Sequence, residues 1–259
     1  MTVTERSLDL AAQLELLSPV SLAELTARAS LQTRVDRKYL LPLAQAGRVV
    51  ELLGPDAHVL DIEGTRTFGY ESVYFDTPEL ACYHLAARRR PARFKVRTRT
   101  YLDSGRCWLE VKTRDRRGRT VKQRTPFVGS LSGLTHDDLL FVDAALASAG
   151  IVRPPGRLEP ALTTRYRRST LLLPTDESRA TIDTVLTFQE RGGRRAGLVG
   201  RAVIESKTRG HTSDLDRLLW SHGHRPVQVS KYGTGLAALN PELPATKWRP
   251  VLRRNCFAA

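Results

Sequence analysis

The stretch Arg93-Phe-Lys-Val-Arg-Thr-Arg-Thr-Tyr101 alternates charged with uncharged side chains through Arg99. Successive side chains of a strand point to opposite faces. As a strand it collects Arg93, Lys95, Arg97 and Arg99 on one face and Phe94, Val96, Thr98 and Thr100 on the other. A single strand of this kind is an ordinary sheet with a solvated charged face. Its neighbours, however, repeat the pattern with both signs of charge. Trp108, Glu110 and Lys112 share a face opposite Cys107, Leu109 and Val111, and Lys122 and Arg124 oppose Val121. Arg34, Asp36 and Lys38 oppose Val35 and Tyr39; Arg179, Thr181 and Asp183 oppose Ala180, Ile182 and Thr184; Arg201, Glu205 and Lys207 oppose Ala202 and Ile204.

Many strands thus offer one cationic face with a few embedded carboxylates. On an open sheet those faces make a broad basic surface, as a nucleic-acid binder has. In a closed barrel they line a tunnel, with the apolar faces outward beneath helices. A surface that only attracts phosphodiesters gains nothing from Glu110 and Glu205 among its cations. A site for a polyphosphate with a divalent metal needs both, cations for phosphate oxygens and carboxylates for the metal. The expected fold is therefore α+β, a closed antiparallel β-barrel tunnel of about eight strands with peripheral helices.

Composition agrees with an anionic partner. The 259 residues include 41 Lys and Arg against 27 Asp and Glu, a net charge of +14, with 41% hydrophobic and 26% charged residues. That is enough apolar content for a packed core. Only seven of the 41 cations are lysines, and all but Lys247 fall in segments that read as strands or strand ends. No run reaches the roughly 18 apolar residues of a spanning helix, and the N-terminus lacks a signal-peptide core, so a soluble cytoplasmic protein is expected. Cys82, Cys107 and Cys256 have no metal-ligand spacing, and the six histidines have no partner at motif spacing.

Along the chain, residues 7–31 read as helix broken near Pro19, with Ser21 and Glu24 as a capping box. Extended segments follow at 33–41, 66–76, 93–101, 106–113, 119–128, 161–173, 179–189, 198–208 and 225–231. Helices are expected from Pro42 to Gly54, from Pro78 to Ala87, from Thr135, and over 213–221 behind Ser213. Arg191-Gly-Gly-Arg-Arg195 reads as a hairpin turn. Asp76 and Thr77 form a turn and helix cap, and the Arg88–Arg90 run is a solvated end that could draw polyanions to a tunnel mouth. The organisation expected is an N-terminal helical segment (1–32), a main domain (33–240) and a C-terminal tail (241–259).

Eight blocks in order resemble the VTC (vacuolar transporter chaperone) domain of polyphosphate polymerases, within the triphosphate tunnel metalloenzymes, also called CYTH-like. They are Asp36-Arg-Lys-Tyr39, Val73-Tyr-Phe-Asp-Thr-Pro78, Arg93-Phe-Lys-Val-Arg-Thr-Arg99, Leu109-Glu-Val-Lys-Thr113, Tyr166-Arg-Arg168, Arg179-Ala-Thr-Ile-Asp183, Ile204-Glu-Ser-Lys207 and Ser230-Lys-Tyr232. The resemblance implies a manganese- or magnesium-dependent reaction on ATP and orthophosphate or polyphosphate. It implies that Lys38, Arg97, Arg99, Lys112, Arg168, Arg179 and Lys231 grip phosphate, with Tyr166 and Ser230 beside them. Glu205 would be the principal metal ligand and Glu110 a second. Lys95, Lys122 and Lys207 are expected to add substrate contacts from the same faces. Out of this context Glu205 would read as a salt bridge with Lys207 or Arg201, Tyr166 equally well as packing, and Trp108 as packing rather than base stacking.

Two positions depart from the family pattern. Asp36 is the acid before Lys38, with Arg34 in place of an acid, which resembles the polymerase branch more than the hydrolytic one. Gln228 stands where the eukaryotic polymerase has a lysine. The chain is expected to lack room for the phosphate-sensing and membrane domains attached in the eukaryotic complex, and a membrane-protein partner is among the partners considered. The competing functions are a triphosphatase or nucleoside triphosphatase with the same site, a non-catalytic polyphosphate binder, and a nucleic-acid binder. The last is disfavoured by aromatics at only 7%, placed on apolar faces.

Overall fold

The computed structural model describes residues 3–28, 35–254 and 257–258; Arg34 and Cys256 lie outside them. In chain order the elements are α1 (Val3–Leu16), β1 (Ser18–Val20), α2 (Leu22–Arg28), β2 (Val35–Pro42), α3 (Leu43–Leu53), β3 (His58–Leu60), β4 (Phe68–Asp76), α4 (Ala81–Ala87), β5 (Arg93–Tyr101), β6 (Cys107–Arg114) and β7 (Thr120–Pro126). They continue as α5 (His136–Ala147), β8 (Glu159–Leu173), β9 (Ser178–Glu190), β10 (Arg195–Leu198), β11 (Arg201–Thr208), α6 (Asp214–Ser221), α7 (Lys231–Leu239), α8 (Arg249–Leu252) and β12 (Phe257–Ala258). No helix of the described residues is long and apolar enough to cross a membrane.

Eight strands form one antiparallel path, β7-β6-β5-β4-β8-β9-β11-β2. The apolar faces predicted from alternation carry the helices. Phe94, Val96, Leu109 and Val111 pack with Cys82 and Ala86 of α4 and with Val142, Ala145 and Leu146 of α5. Tyr39, Leu41, Ile182, Ala202 and Ile204 form a second core with Val49 and Val50 of α3 and Leu215 and Leu219 of α6. Capping chemistry starts these helices where the sequence marks it. Thr135 and Ser213 both close capping boxes, with Asp138 and Asp216 respectively. Asp216, fully buried, also accepts from Ser206 Oγ (2.6 Å), Tyr39 Oη (2.7 Å) and Arg37 (3.1 Å), tying α6 to β2 and β11.

Four expectations are corrected. First, the barrel does not close through its ladder: among the described residues no pairing joins β7 to β2. Alternation reports which face a side chain takes, not whether two edge strands meet. Second, 225–231 is not a strand. Val227 N–H donates to Lys38 O (2.7 Å), the chain runs on along that edge of β2, and Lys231 begins α7. Ser230 caps that helix, its Oγ accepting from Gly233 N–H (3.2 Å). Third, the expected strand 198–208 is two, separated by a turn at Gly200, whose φ is +62°. Fourth, Val121, expected on a covered face, is exposed on edge strand β7.

Asp76 behaves as the expected cap. Its carboxylate accepts from the backbone N–H groups of Thr77, Cys82 and Tyr83 and also from the Tyr232 hydroxyl, linking α4 to α7. The segment after 240 joins the main core: Trp248 and Val251 are both fully buried.

Candidate phosphate site on the inner face

Strand register brings the predicted residues into rows. On one wall Arg97 lies opposite Glu110 and Glu110 opposite Arg124, with Lys95, Lys112 and Lys122 forming the next row. On the other, Lys38 lies opposite Glu205, Glu205 opposite Thr181, and Lys207 between Asp36 and Arg179. Arg168 of β8 lies opposite Asp183 of β9.

Three carboxylates organise these cations. Glu110 is buried and accepts from Arg97 Nε (2.9 Å) and Nη2 (2.6 Å) on one oxygen and from Lys122 Nζ (3.3 Å) on the other, with Arg99 Nη2 at 3.7 Å. Both oxygens of the expected second metal ligand are thus occupied, and Glu110 serves here to hold the arginine fork. Arg97 also donates to Tyr74 Oη (3.0 Å). Asp183, which sequence reasoning placed on the charged face without a role, receives Arg168 in bidentate fashion (2.6 and 2.8 Å) and Lys231 from the first turn of α7. Burial would raise its carboxyl, but Arg168 and Lys231 hold it down to about 2. The signal for Asp183 was its alternation with Thr181 and Arg179.

Glu205 is held more loosely, with Lys207 Nζ at 3.1 Å and Lys38 Nζ at 3.6 Å. Against its burial, Lys38, Lys207, Arg168 and Lys231 keep its carboxyl well below the usual range, so it is ionised. Lys207 also donates to Thr181 Oγ1 (3.3 Å); burial, with Arg168 and Arg179 nearby, lowers its amine to about 8 despite Glu205 and Asp36. Tyr166 is buried and stacked on Tyr70, with ring centres 5.2 Å apart. Lys231 Nζ sits 4.1 Å over its ring centre and the Arg168 guanidinium 5.2 Å away. The Tyr166 hydroxyl and Arg99 Nε are buried with no hydrogen-bond partner in the structure. Trp108 carries the Arg124 guanidinium 4.5 Å over its ring, a contact that masks one face.

Lys95 donates to Ser230 Oγ (2.9 Å), joining the lysine row to the start of α7. Burial and then Lys38, Lys112, Lys247 and Arg97 push its amine well below the ordinary lysine value. In the unliganded protein this opposes folding, and the cost is relieved as pH rises, because the unfolded chain then no longer binds the extra proton. A bound polyanion reverses the field and raises the amine's proton affinity. Tripolyphosphate binding at pH 8 should therefore take up protons, measured as a dependence of calorimetric heat on buffer ionisation enthalpy. The uptake should shrink in Lys95→Gln, and affinity should fall as pH rises through the free-state value. Equal uptake in both proteins would remove Lys95 from the linkage.

The antiparallel sheet thus packs helices against its apolar face and gathers its cations on the other. The VTC domain family model matches residues 33–240, and the chain belongs to that family. Similar solved structures include HpAC1 from Hippeastrum, described as a candidate adenylyl cyclase that reveals a dominant triphosphatase activity. It is 16% identical, covers 83% of this chain and 100% of its own, and has a TM-score of 0.43. Others are a protein from Pyrococcus horikoshii (12% identity, 78% and 94% covered, TM-score 0.43) and a candidate adenylate cyclase from Vibrio parahaemolyticus (14%, 74% and 87%, 0.39). A comparison with curated proteins gives no match.

Proposed function

We propose that this protein is a metal-dependent polyphosphate polymerase that transfers the γ-phosphate of ATP to the end of a phosphate chain. The observation that supports it is the charge arrangement of the inner face. Lys38, Lys95, Arg97, Arg99, Lys112, Arg168, Arg179, Lys207 and Lys231 share that face with the carboxylates Asp36, Glu110, Asp183 and Glu205. Such an excess of fixed cations, spread over both walls, suits a ligand with many phosphates better than one with a single charge.

In this reading a terminal oxygen of the acceptor phosphate attacks the γ-phosphorus, the bond to the β,γ-bridging oxygen breaks, and ADP leaves. The protein's part is positioning and charge neutralisation. Arg97 and Arg168, pre-set by Glu110 and Asp183, present forks to phosphate oxygens. Arg99 Nε and the Tyr166 hydroxyl have hydrogen bonds to give. Lys231 adds a point charge from the start of α7, where Ser230 fixes the backbone.

The residues fit a divalent metal at Glu205. It is an ionised oxygen donor held by two lysines, at 3.1 and 3.6 Å, whereas Glu110 and Asp183 each accept from an arginine at 2.6 Å. Among the described residues no group of three His, Cys, Asp or Glu converges, so Mg²⁺ or Mn²⁺ here would complete its shell from phosphate and water, as these ions commonly do. When bound, the ion would supply charge neutralisation across the phosphate oxygens.

The experiment is phosphorus NMR of the purified protein with ATP and Mn²⁺. An internal-phosphate signal growing with ADP supports the polymerase. Orthophosphate alone would replace it with a triphosphatase that uses the same site, water being the attacking group. Tight tripolyphosphate binding without turnover would leave a polyanion-binding protein.

A further inference from the structure

The β5–β6–β7 ladder changes character along its length. In the row of Arg97, Glu110 and Arg124, opposite charges alternate. One row further, Lys95 faces Lys112 and Lys112 faces Lys122; in the last row Arg93 faces Arg114. Like charges directly across a strand pair are destabilising, and here two rows of them follow each other. The turn after α4 is tied to the last row, Arg93 Nη1 donating to Arg90 O (2.8 Å). Arg89 lies in that turn, with φ +53°, and Lys247 lies in the segment leading into α8. Lys247 is fixed in place by its neighbour Trp248, fully buried, whose ring centre lies 5.4 Å from that of Tyr83.

The field there is cationic. After burial, Arg93, Arg89, Arg114 and Lys38 dominate at the Lys247 amine and lower it to about 8, and Arg114 acts on Arg93 in the same sense. Among the described residues no carboxylate forms an ion pair with Arg89, Arg93, Arg114 or Lys247, in contrast to Arg97, Arg168 and Lys38 deeper in the sheet. Mutual repulsion left uncompensated in this way stores free energy that an anion releases on binding.

We propose that Arg89, Arg93, Arg114 and Lys247 form a second, carboxylate-free anion site at the Arg93 end of the inner face, which holds the distal phosphates of a linear phosphate polymer. This rests on the reading of the inner face as a polyphosphate site: the near end of the chain lies among Arg97, Arg168 and Glu205, and the lysine row Lys95–Lys112–Lys122 bridges the two. The site gives the protein a preference for long chains over short ones, and a grip on the chain between successive additions.

The test uses the full chain with Arg93→Gln, Arg114→Gln and Lys247→Gln combined, and measures binding of long-chain polyphosphate and of tripolyphosphate by calorimetry at one salt concentration. Long-chain affinity should fall about tenfold or more, with tripolyphosphate affinity nearly unchanged. Returning lysine at the second position, as Arg114→Lys, should recover part of the loss. The unliganded triple variant should melt above the wild type, since repulsion has been removed. Unchanged long-chain binding would overturn the proposal. So would an equal loss for both ligands, which would merge this cluster with the inner site. So too would a single-stranded oligonucleotide bound as tightly and weakened by the same changes, which would make the surface one for nucleic acid. Failure of the wild type to bind tripolyphosphate at all is a different result, and removes the polyphosphate reading itself.

Discussion

Glu205→Gln should lower kcat/KM for ATP by about 10²- to 10³-fold while leaving the fold intact. The glutamine keeps the size of the side chain and can still accept from Lys207 and Lys38, whose amines lie 3.1 and 3.6 Å away. What it removes is a carboxylate held by two lysines rather than by an arginine fork such as those on Glu110 and Asp183. Charge arithmetic then separates a metal ligand from a structural salt bridge. Without metal, the variant's inner face is one charge more positive, and tripolyphosphate should bind it more tightly than it binds the wild type. With Mn²⁺ present, the wild type should gain affinity and turnover and the variant should gain little of either. Binding isotherms with and without metal, alongside steady-state rates, read both effects. A variant that still turns over ATP near the wild-type rate, or that responds to Mn²⁺ as the wild type does, would move the metal away from Glu205. Glu110→Gln provides the contrast: its loss frees Arg97, Arg99 and Lys122 from their anchor, so it should disturb phosphate binding without changing the metal dependence.

How much of this was legible in the sequence depends on what kind of fact was sought. Period-two alternation fixed the faces of β5, β6, β9 and β11, because a strand has only two faces and one of them must be apolar to carry helices. It therefore found the inner-face cations individually. It said nothing about which cation meets which acid, since that follows from register, and register placed Arg97 against Glu110 and Arg168 against Asp183. Ser230 and Lys231 meet Lys95 and Asp183 of the charged face, but from the start of a helix and not from the expected strand. The segment from Lys231 to Leu239 contains Gly233 and Gly235, and two glycines in nine residues weaken any helical signal by about 1 kcal/mol each. The open β2–β7 seam was invisible for the reason that makes alternation useful: side-chain direction does not record whether an edge is paired. Lys247 was the lysine outside the strand pattern, and the burial of its neighbour Trp248 anchors its segment in the main core.

The same two glycines carry the second large effect: Gly233→Ala should unfold or strongly destabilise the protein. On an exposed helix this change stabilises by about 1 kcal/mol, because alanine is the better helix former. Here the sign reverses. A Cβ at Gly233 would lie 2.1 Å from Trp248 Cζ2 and 2.2 Å from Cη2, and one at Gly235 would lie 2.3 Å from Phe188 Cδ1. Trp248 is a rigid, fully buried indole flanked by Tyr83, and Phe188 and Leu162 are likewise in the main core, so none can step aside without moving its neighbours. Overpacking of this severity costs about 3 kcal/mol or more, which exceeds the helical gain. At about 2–4 °C per kcal/mol for a chain of this size, the melting temperature should drop by several degrees at least. Any surviving fold should bind tripolyphosphate weakly, because α7 must shift and it carries Ser230 and Lys231 into the site. Trp248→Phe in the Gly233→Ala background removes the ring atoms that clash and should recover part of both losses, a coupling that a double-mutant cycle measures. Additive effects of the two substitutions, or a Gly233→Ala protein that melts with the wild type, would show that α7 is not held against the sheet by this contact.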